Sequence, residues 1–397
     1  MSTAAVHAQP HSITGLRGVL ITLCLTEITS WGVLYYAFPV LAPRITADTG
    51  WSAPAVTAAF SAALVVAAAA GIGVGRWLDR HGPRWLMTAG SLWGPAALIG
   101  VAMAPNYGWF LAAWLMAGIA MAAVFYPPAF AALTRWYGPG AVRALMVLTL
   151  VAGLASTVFV PLTAVLASHM DWRTTYLALA VLLTIITVPA HIIGLRRPWP
   201  SLPATHLAES PTRIARSRPF ISLIIAFALA SCASYAVIVN LVPLMNQRGL
   251  DGTVAATALA LGGVGQVIGR FGYPALAQCI SVVPRTLLIM GVVAATTALL
   301  GVFASAVSLI AVAVAAGMAR GIMTLLQATA ITERWGSTHY GHLSGLLTAP
   351  IMLTTALAPF TGAALAQLLH GYPAMFVALG VAGIIGAAAA TATNPSQ

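Results

Sequence analysis

"AGIAMAAVFYPPAFAALTRWYG" (117–138) and "AGMARGIMTLLQATAITERWG" (316–336) are two copies of one segment. Ala-Gly opens both, Arg-Trp closes both, and the matched residues lie 199 positions apart. Working outward, "WGVLYYAFPVLAPR" (31–44) matches "YAVIVNLVPLMNQR" (235–248) at an offset of 204, which brings Pro39 onto Pro243 and Arg44 onto Arg248. "RWLMTAG" (84–90) matches "RTLLIMG" (285–291) at 201. Three matches at nearly one offset mark a duplicated chain.

The solvent for most of that chain is lipid. Of its 397 residues 60% are hydrophobic and 6% charged, with a mean hydropathy of +0.93, whereas a soluble domain carries about 25% charge. A crossing helix needs about 20 apolar residues. Windows of that size predict twelve spans: 16–42, 52–75, 85–104, 107–134, 142–168, 172–195, 219–246, 253–276, 285–304, 307–331, 341–369 and 371–392. Turn chemistry separates them, as in "APNYGW" (104–109) and "HGYP" (370–373). The expected organisation is a tail (1–15), a six-span bundle (16–195), a Pro-, Ser- and Arg-rich linker (196–218), a second six-span bundle (219–392) and a short tail (393–397). The first span reads as an uncleaved signal anchor.

All 18 basic residues are arginine, against 7 acids, a net charge of +11. Thirteen arginines fall in the loops and tail that share a side with the N-terminus; Arg44, Arg173 and Arg248 fall opposite, and Arg270 and Arg320 lie within spans. The positive-inside rule therefore predicts cytoplasmic termini in a plasma membrane of the bacterial inner-membrane type. The arginines form no basic stripe, so no nucleic-acid partner is expected. Cys24, Cys232 and Cys279 have no metal-ligand spacing, and the nine histidines sit at tails and span ends. Neither a metal nor any other cofactor is implied. No nucleophile with a base and no phosphate loop appears, so an enzyme is not expected, and the chain is expected to act as a monomer.

One loop concentrates charge. "GRWLDRHGPRW" (75–85), between spans two and three, holds Arg76, Asp79, Arg80 and Arg84. Gly75 permits close approach of a neighbouring helix and Gly82 a tight turn; Asp79 can face the positive end of another helix. A plain positive-inside loop would explain the arginines but not an aspartate between glycines. In the second half, "GYPALAQCISVVPR" (272–285) puts Gln278 at the aspartate's position and Ser281 at that of Gly82, so any latch is expected on one side only.

The pattern Gly75-x-x-x-Asp79-Arg80-x-Gly82-x-Arg84, twelve spans, the six-plus-six repeat and the long central loop together resemble the major facilitator superfamily over nearly the whole chain. The resemblance implies an all-α membrane fold of two pseudo-symmetric six-helix bundles that expose a central site to alternate sides. It implies that Asp79 latches the halves together, with Arg143 and the start of span eleven, Tyr340 to Ser344, as partners. It also implies that spans one, four, seven and ten line the cavity.

Charges deep in the bilayer are functional candidates. Glu27, about eleven residues into span one, is the candidate for proton coupling, and Arg320, mid-span ten, faces it in the resemblance; the alternatives are a structural ion pair or a permanently neutral Glu27. In "GGVGQVIGRFG" (262–272) Gln266 lies one turn before Arg270. This is similar to the eighth span of monocarboxylate and oxalate–formate porters, which implies carboxylate binding by the guanidinium fork; helix-end packing is the alternative. Here, however, no lysine stands in spans one or eleven. Asn240, Tyr126 beside Pro127-Pro128, and Gln327 complete the candidate substrate site, the paired prolines predicting a kink. The glycine-rich signature of drug antiporters is missing from "GLASTVFVPLTA" (153–164), which keeps Gly153 and Pro161. The expectation is a secondary transporter for a small organic anion coupled to protons or a counter-anion. An exporter of drugs or trivalent metalloids using Cys24 and Cys232 remains the alternative.

Overall fold

A computed structural model describes residues 13–200 and 210–394. The described residues are helical with short connections. Among the described residues eleven continuous stretches are long and apolar enough to cross a membrane. One of them, Tyr107–His169, runs for 63 residues, about 95 Å of helix at 1.5 Å per residue, and a single turn at Gly138–Gly140 folds it into two crossings. The crossings are therefore twelve: span 1 (Gly15–Thr49), span 2 (Ala53–His81), span 3 (Pro83–Ala102), span 4 (107–137), span 5 (141–169), span 6 (Trp172–Gly194), span 7 (Arg218–Gln247), span 8 (Gly252–Cys279), span 9 (Val282–Val302), span 10 (Ala306–Trp335), span 11 (Tyr340–Leu368) and span 12 (Tyr372–Thr393). Several helices run past their apolar windows; span 1 continues to Thr49 and span 2 to His81. Lipid sets the apolar length of a helix, but capping sets where it ends. Asn106 accepts from the Trp109 amide at 2.9 Å and Asp171 from the Thr174 amide at 2.6 Å, each opening a span. That backbone bond holds the Asp171 carboxyl below its ordinary value.

The duplication is visible as packing. Gly118 of span 4 lies so close to span 2 that a Cβ would collide with the Ala63 carbonyl; Gly317 of span 10 would collide in the same way with the Gly262 carbonyl of span 8. Both partners of the first contact map onto the second at the same offset of 199.

The two copies of the opening segment differ in one respect. Span 4 breaks at Phe125, which is extended (φ −89°, ψ −175°), and a new helix starts at Tyr126 with Pro127 and Pro128 in its first turn. A proline there loses no helical hydrogen bond, so the chain breaks before the prolines instead of kinking through them. At the corresponding place span 10 has Leu326 and Gln327, and its helix is continuous from Ala306 to Thr329. Span 1 also departs from a regular helix, with a π-helical turn at Gly32–Tyr36 where Gly32 leaves room for the Phe159 ring of span 5.

Three hydrophobic cores fill the structure. Two are private: residues such as Val33, Phe60, Trp114 and Tyr176 in the first bundle, and Val237, Leu300, Leu309 and Phe376 in the second. The third is shared, joining Leu23, Leu78, Leu133 and Leu148 to Phe227, Tyr273, Leu326 and Leu343. It lies at the face that carries the linker and both described chain ends. The bundles are thus fused at the linker face, while toward the opposite face each has its own core.

Candidate functional site

Glycines bring the deep arginines together. Gly265 and Gly269 of span 8 and Gly317 and Gly321 of span 10 lie against the partner helix's backbone, leaving no room for a Cβ, and Gly262 presents its carbonyl to Gly317. Gly265 and Gly269 of "GGVGQVIGRFG" are therefore packing residues, whereas Gly263 and Gly272 face open space, and the close approach sets Gln266 beside Arg320, one turn from Arg270. Gln266 Oε1 is 3.5 Å from Arg320 Nε. Arg320 also lies within electrostatic reach of Arg270, Tyr36 of span 1 and Tyr235 of span 7.

Arg270 is 4% exposed and crosses to the other bundle, where its guanidinium donates to the Thr149 carbonyl of span 5. Gly153 makes that reach possible, since a Cβ there would collide with the guanidinium. Arg320 is 8% exposed. Among the described residues the ion pairs are Arg173–Asp48 and Arg285–Glu333, so neither deep arginine has a carboxylate partner. Two desolvated cations without a counter-ion are costly unless an anion joins them.

Glu27 does not supply it. Fully buried in span 1, it accepts from the Trp31 indole at 3.0 Å, and its other oxygen has no hydrogen-bond partner among the described residues. The Glu27–Arg320 ion pair considered from the sequence is therefore not formed. Trp31 is fixed by stacking on Phe125 at 4.1 Å and lies 5.1 Å from Tyr126, which stacks on Phe130. Tyr126 is within electrostatic reach of both Glu27 and Arg270. The break in span 4 thus packs Phe125 and Tyr126 against Trp31, the indole that holds Glu27.

Two candidates are otherwise engaged. Asn240 donates to the Ala236 carbonyl of its own helix at 2.9 Å and packs on Gly362 of span 11. Gln327 points to Thr348 of span 11, at 3.5 Å. Cys24 is buried in the shared core, Cys232 is half-buried in span 7, and Cys279 is exposed. No cluster of three metal-ligating side chains occurs among the described residues. His191, at the end of span 6, is fully buried and bonded to Ser91 at 2.7 Å, tying spans 6 and 3 within the first bundle. His7, His11 and His206 lie outside the described residues.

At the linker face, the Asp79 carboxylate accepts the Gly341 and His342 amides at 2.8 and 2.9 Å. These are free donors of the first turn of span 11, at the positive end of its dipole. Gly75 allows the approach, because a Cβ there would strike the Gly341 carbonyl. Gly82 turns the chain at φ +79°. Arg76 donates to His342 at 3.1 Å; Arg84 donates to the Ile192 carbonyl at 3.1 Å and lies over Trp85; Arg80 is exposed. His339, just before span 11, is held below its ordinary pKa by burial and by Arg135, which favours the neutral ring at a helix end that repels cations.

One partner differs from the expectation. Arg135, not Arg143, stands beside Asp79, donating to its carbonyl at 3.2 Å; Arg143 lies on span 5 against span 8. The sequence also gave no sign of Trp199 in the linker, which donates to the same carbonyl at 3.2 Å and lies under the Arg135 guanidinium. In the second bundle, Gln278 is exposed and bonds only its own helix, at Pro274. A different group ties that bundle: Arg285, 2% exposed, pairs with Glu333 and donates to the Ala277 and Ile280 carbonyls. The repeat itself could have found it, since Arg285 aligns with Arg84 and Glu333 is the acid beside the Arg-Trp of the second copy.

The sequence profile described as the Major Facilitator Superfamily matches residues 23–308. No curated protein matches the chain. Solved structures do. The Escherichia coli fucose:proton symporter FucP in its outward conformation is 15% identical, with a TM-score of 0.74 over 94% of this chain and 97% of that one. A variant of FucP gives 0.72 over the same shares at 15% identity. The human organic anion transporter MFSD10 gives 0.69 over 94% of this chain and 99% of that one, also at 15% identity.

Proposed function

The chain belongs to the Major Facilitator Superfamily and is a multi-pass membrane transporter, and we propose that its cargo is a small organic anion of the monocarboxylate kind, moved by alternating access. The single observation behind this is the pair Arg270 and Arg320, buried, adjacent and without a carboxylate in ion-pair distance among the described residues. A bound carboxylate would take the guanidinium fork in two parallel hydrogen bonds. Gln266 is beside Arg320, and Tyr36, Tyr126 and Tyr235 lie within electrostatic reach of the arginines. Asn240 and Gln327 shape the second bundle around that site.

Glu27 is the proton carrier in this proposal. A carboxyl buried with no cation beside it avoids the cost of a buried charge by holding a proton, and water reaching it from the open side would let the proton leave. Coupling to a counter-anion at the same arginines is the other mode, and a Glu27→Gln variant separates the two: it stops proton-coupled uptake and leaves anion exchange intact.

The linker face, with most of the arginines, is assigned to the cytoplasm. The bundles 16–195 and 219–392 would rock about the linker 196–218, with the present arrangement closed on the cytoplasmic side by the Asp79 latch. The test is uptake of labelled monocarboxylates into proteoliposomes. Arg270→Ala and Arg320→Ala should each lower uptake by roughly 10- to 100-fold, the range for a lost charge-assisted bond, with the protein still monodisperse. Normal uptake in both variants would remove the anion site.

A further inference from the structure

Between spans 5 and 8, at their linker-side ends, the bundles do not close. A crevice of about 540 Å³ separates them, lined by Arg143, Met146 and Val147 on span 5 and by Phe271, Pro274, Ala275, Gln278 and Cys279 on span 8. Its walls sort by depth along the helices. Met146, Val147 and Phe271 form the deeper, apolar part, and Phe271 and Val147 are 61% and 37% exposed on a surface that faces lipid. Arg143, Gln278 and Cys279 form the polar mouth, at the helix ends where headgroups lie. Arg143 is the single charge in the lining.

We propose that this crevice binds an anionic phospholipid of the linker-side leaflet, its phosphate on Arg143 and Gln278 and an acyl chain along Met146, Val147 and Phe271. A basic pocket between spanning helices on one leaflet, with an apolar channel continuing from it into lipid, suits that class of ligand. A water-soluble anion would satisfy Arg143 but would leave the apolar wall uncovered. A neutral lipid would cover the wall without the charge. The bound chain would act as a wedge between the bundles, completing the linker-side closure where no latch exists. The site begins just beyond Arg270 but includes neither deep arginine in its lining, and it does not depend on their role.

Cys279, exposed in the mouth, reports occupancy. The protein is reconstituted in vesicles of pure dioleoylphosphatidylcholine, or of equal parts dioleoylphosphatidylcholine and dioleoylphosphatidylglycerol. Alkylation of Cys279 by the uncharged, membrane-permeant N-ethylmaleimide is followed by peptide mass spectrometry. Alkylation should be about fivefold slower with the anionic lipid, the factor expected for one arginine at a charged leaflet. Arg143→Gln should abolish the difference, and Arg143→Lys should retain most of it. Adding inorganic phosphate to the pure phosphatidylcholine vesicles should give no protection. Equal rates in the two lipids, protection that survives in Arg143→Gln, or protection by phosphate alone would each overturn the proposal.

Discussion

Spans 2 and 11 meet backbone to backbone, whereas spans 5 and 8, their counterparts under the repeat, meet through a side chain and a gap. On the first side Gly75, Gly341 and Gly345 bring the helices into contact with no Cβ between them, Gly345 lying against the Gly71 carbonyl, and Asp79 bridges to the start of span 11. On the second side Pro274 stands where the repeat puts Gly75, Gln278 where it puts Asp79, and Arg270 where it puts Gly71. The contact there is the Arg270 guanidinium on the Thr149 carbonyl, with the crevice beyond it. One sequence, duplicated, carries an acid bridge to span 11 in one copy and a buried cation with no carboxylate partner among the described residues in the other. Contact at the linker face is therefore asymmetric, a carboxylate on backbone amides on one side and a guanidinium on a carbonyl on the other.

The largest effect should come from Gly75→Val. Its side chain has only the Gly341 backbone to displace, so spans 2 and 11 must part, and transport should fall more than tenfold in a protein that still inserts; near-normal transport would mean that the glycine contact is incidental. Asp79→Asn keeps the shape but loses the charge and one of two acceptors. Bonds to a charged group contribute about 1.5–3 kcal/mol, so the population open at the linker face should rise about tenfold or more, read as accessibility of a cysteine introduced at the linker-side end of span 11. The smallest effect belongs to the other side. Pro274→Leu, at the half-buried counterpart of Gly75 on the crevice wall, faces no backbone that must move and should change transport by less than about twofold, within about 0.5 kcal/mol. An equal loss in Gly75→Val and Pro274→Leu would erase the asymmetry.

What could be read without coordinates follows from what each signal encodes. Hydropathy and offset specify crossings and duplication, because lipid imposes one length on every span, and twelve crossings in two bundles were legible on that basis. The position of the Phe125 break was partly legible, since two prolines announce an irregularity but not which residue leaves the helix. The choice of Arg135 over Arg143 beside Asp79 was not, because the two flank one short turn and only its direction separates them. Nor was the bond from Trp199, which joins a linker residue to a carbonyl 120 positions away. The deep arginines were legible as anomalies in apolar helices. Their common neighbourhood depends on glycines whose packing role shows only in three dimensions.

The central claim is that Asp79 holds the bundles closed at the linker face, while toward the opposite face, where each bundle has its own core, they are free to part. It is tested most directly by pulsed electron–electron distance measurement in a background free of Cys24, Cys232 and Cys279. One spin-label pair would sit at His81 and Ser337 on the linker face, the other at Ala47 and Thr257 on the opposite face. The native protein should show a short, narrow linker-face distance and a long opposite-face distance, and Asp79→Asn should shift weight to a longer first distance and a shorter second one together. Distributions identical in the two proteins, or an opposite-face distance that does not respond when the linker face opens, would contradict it.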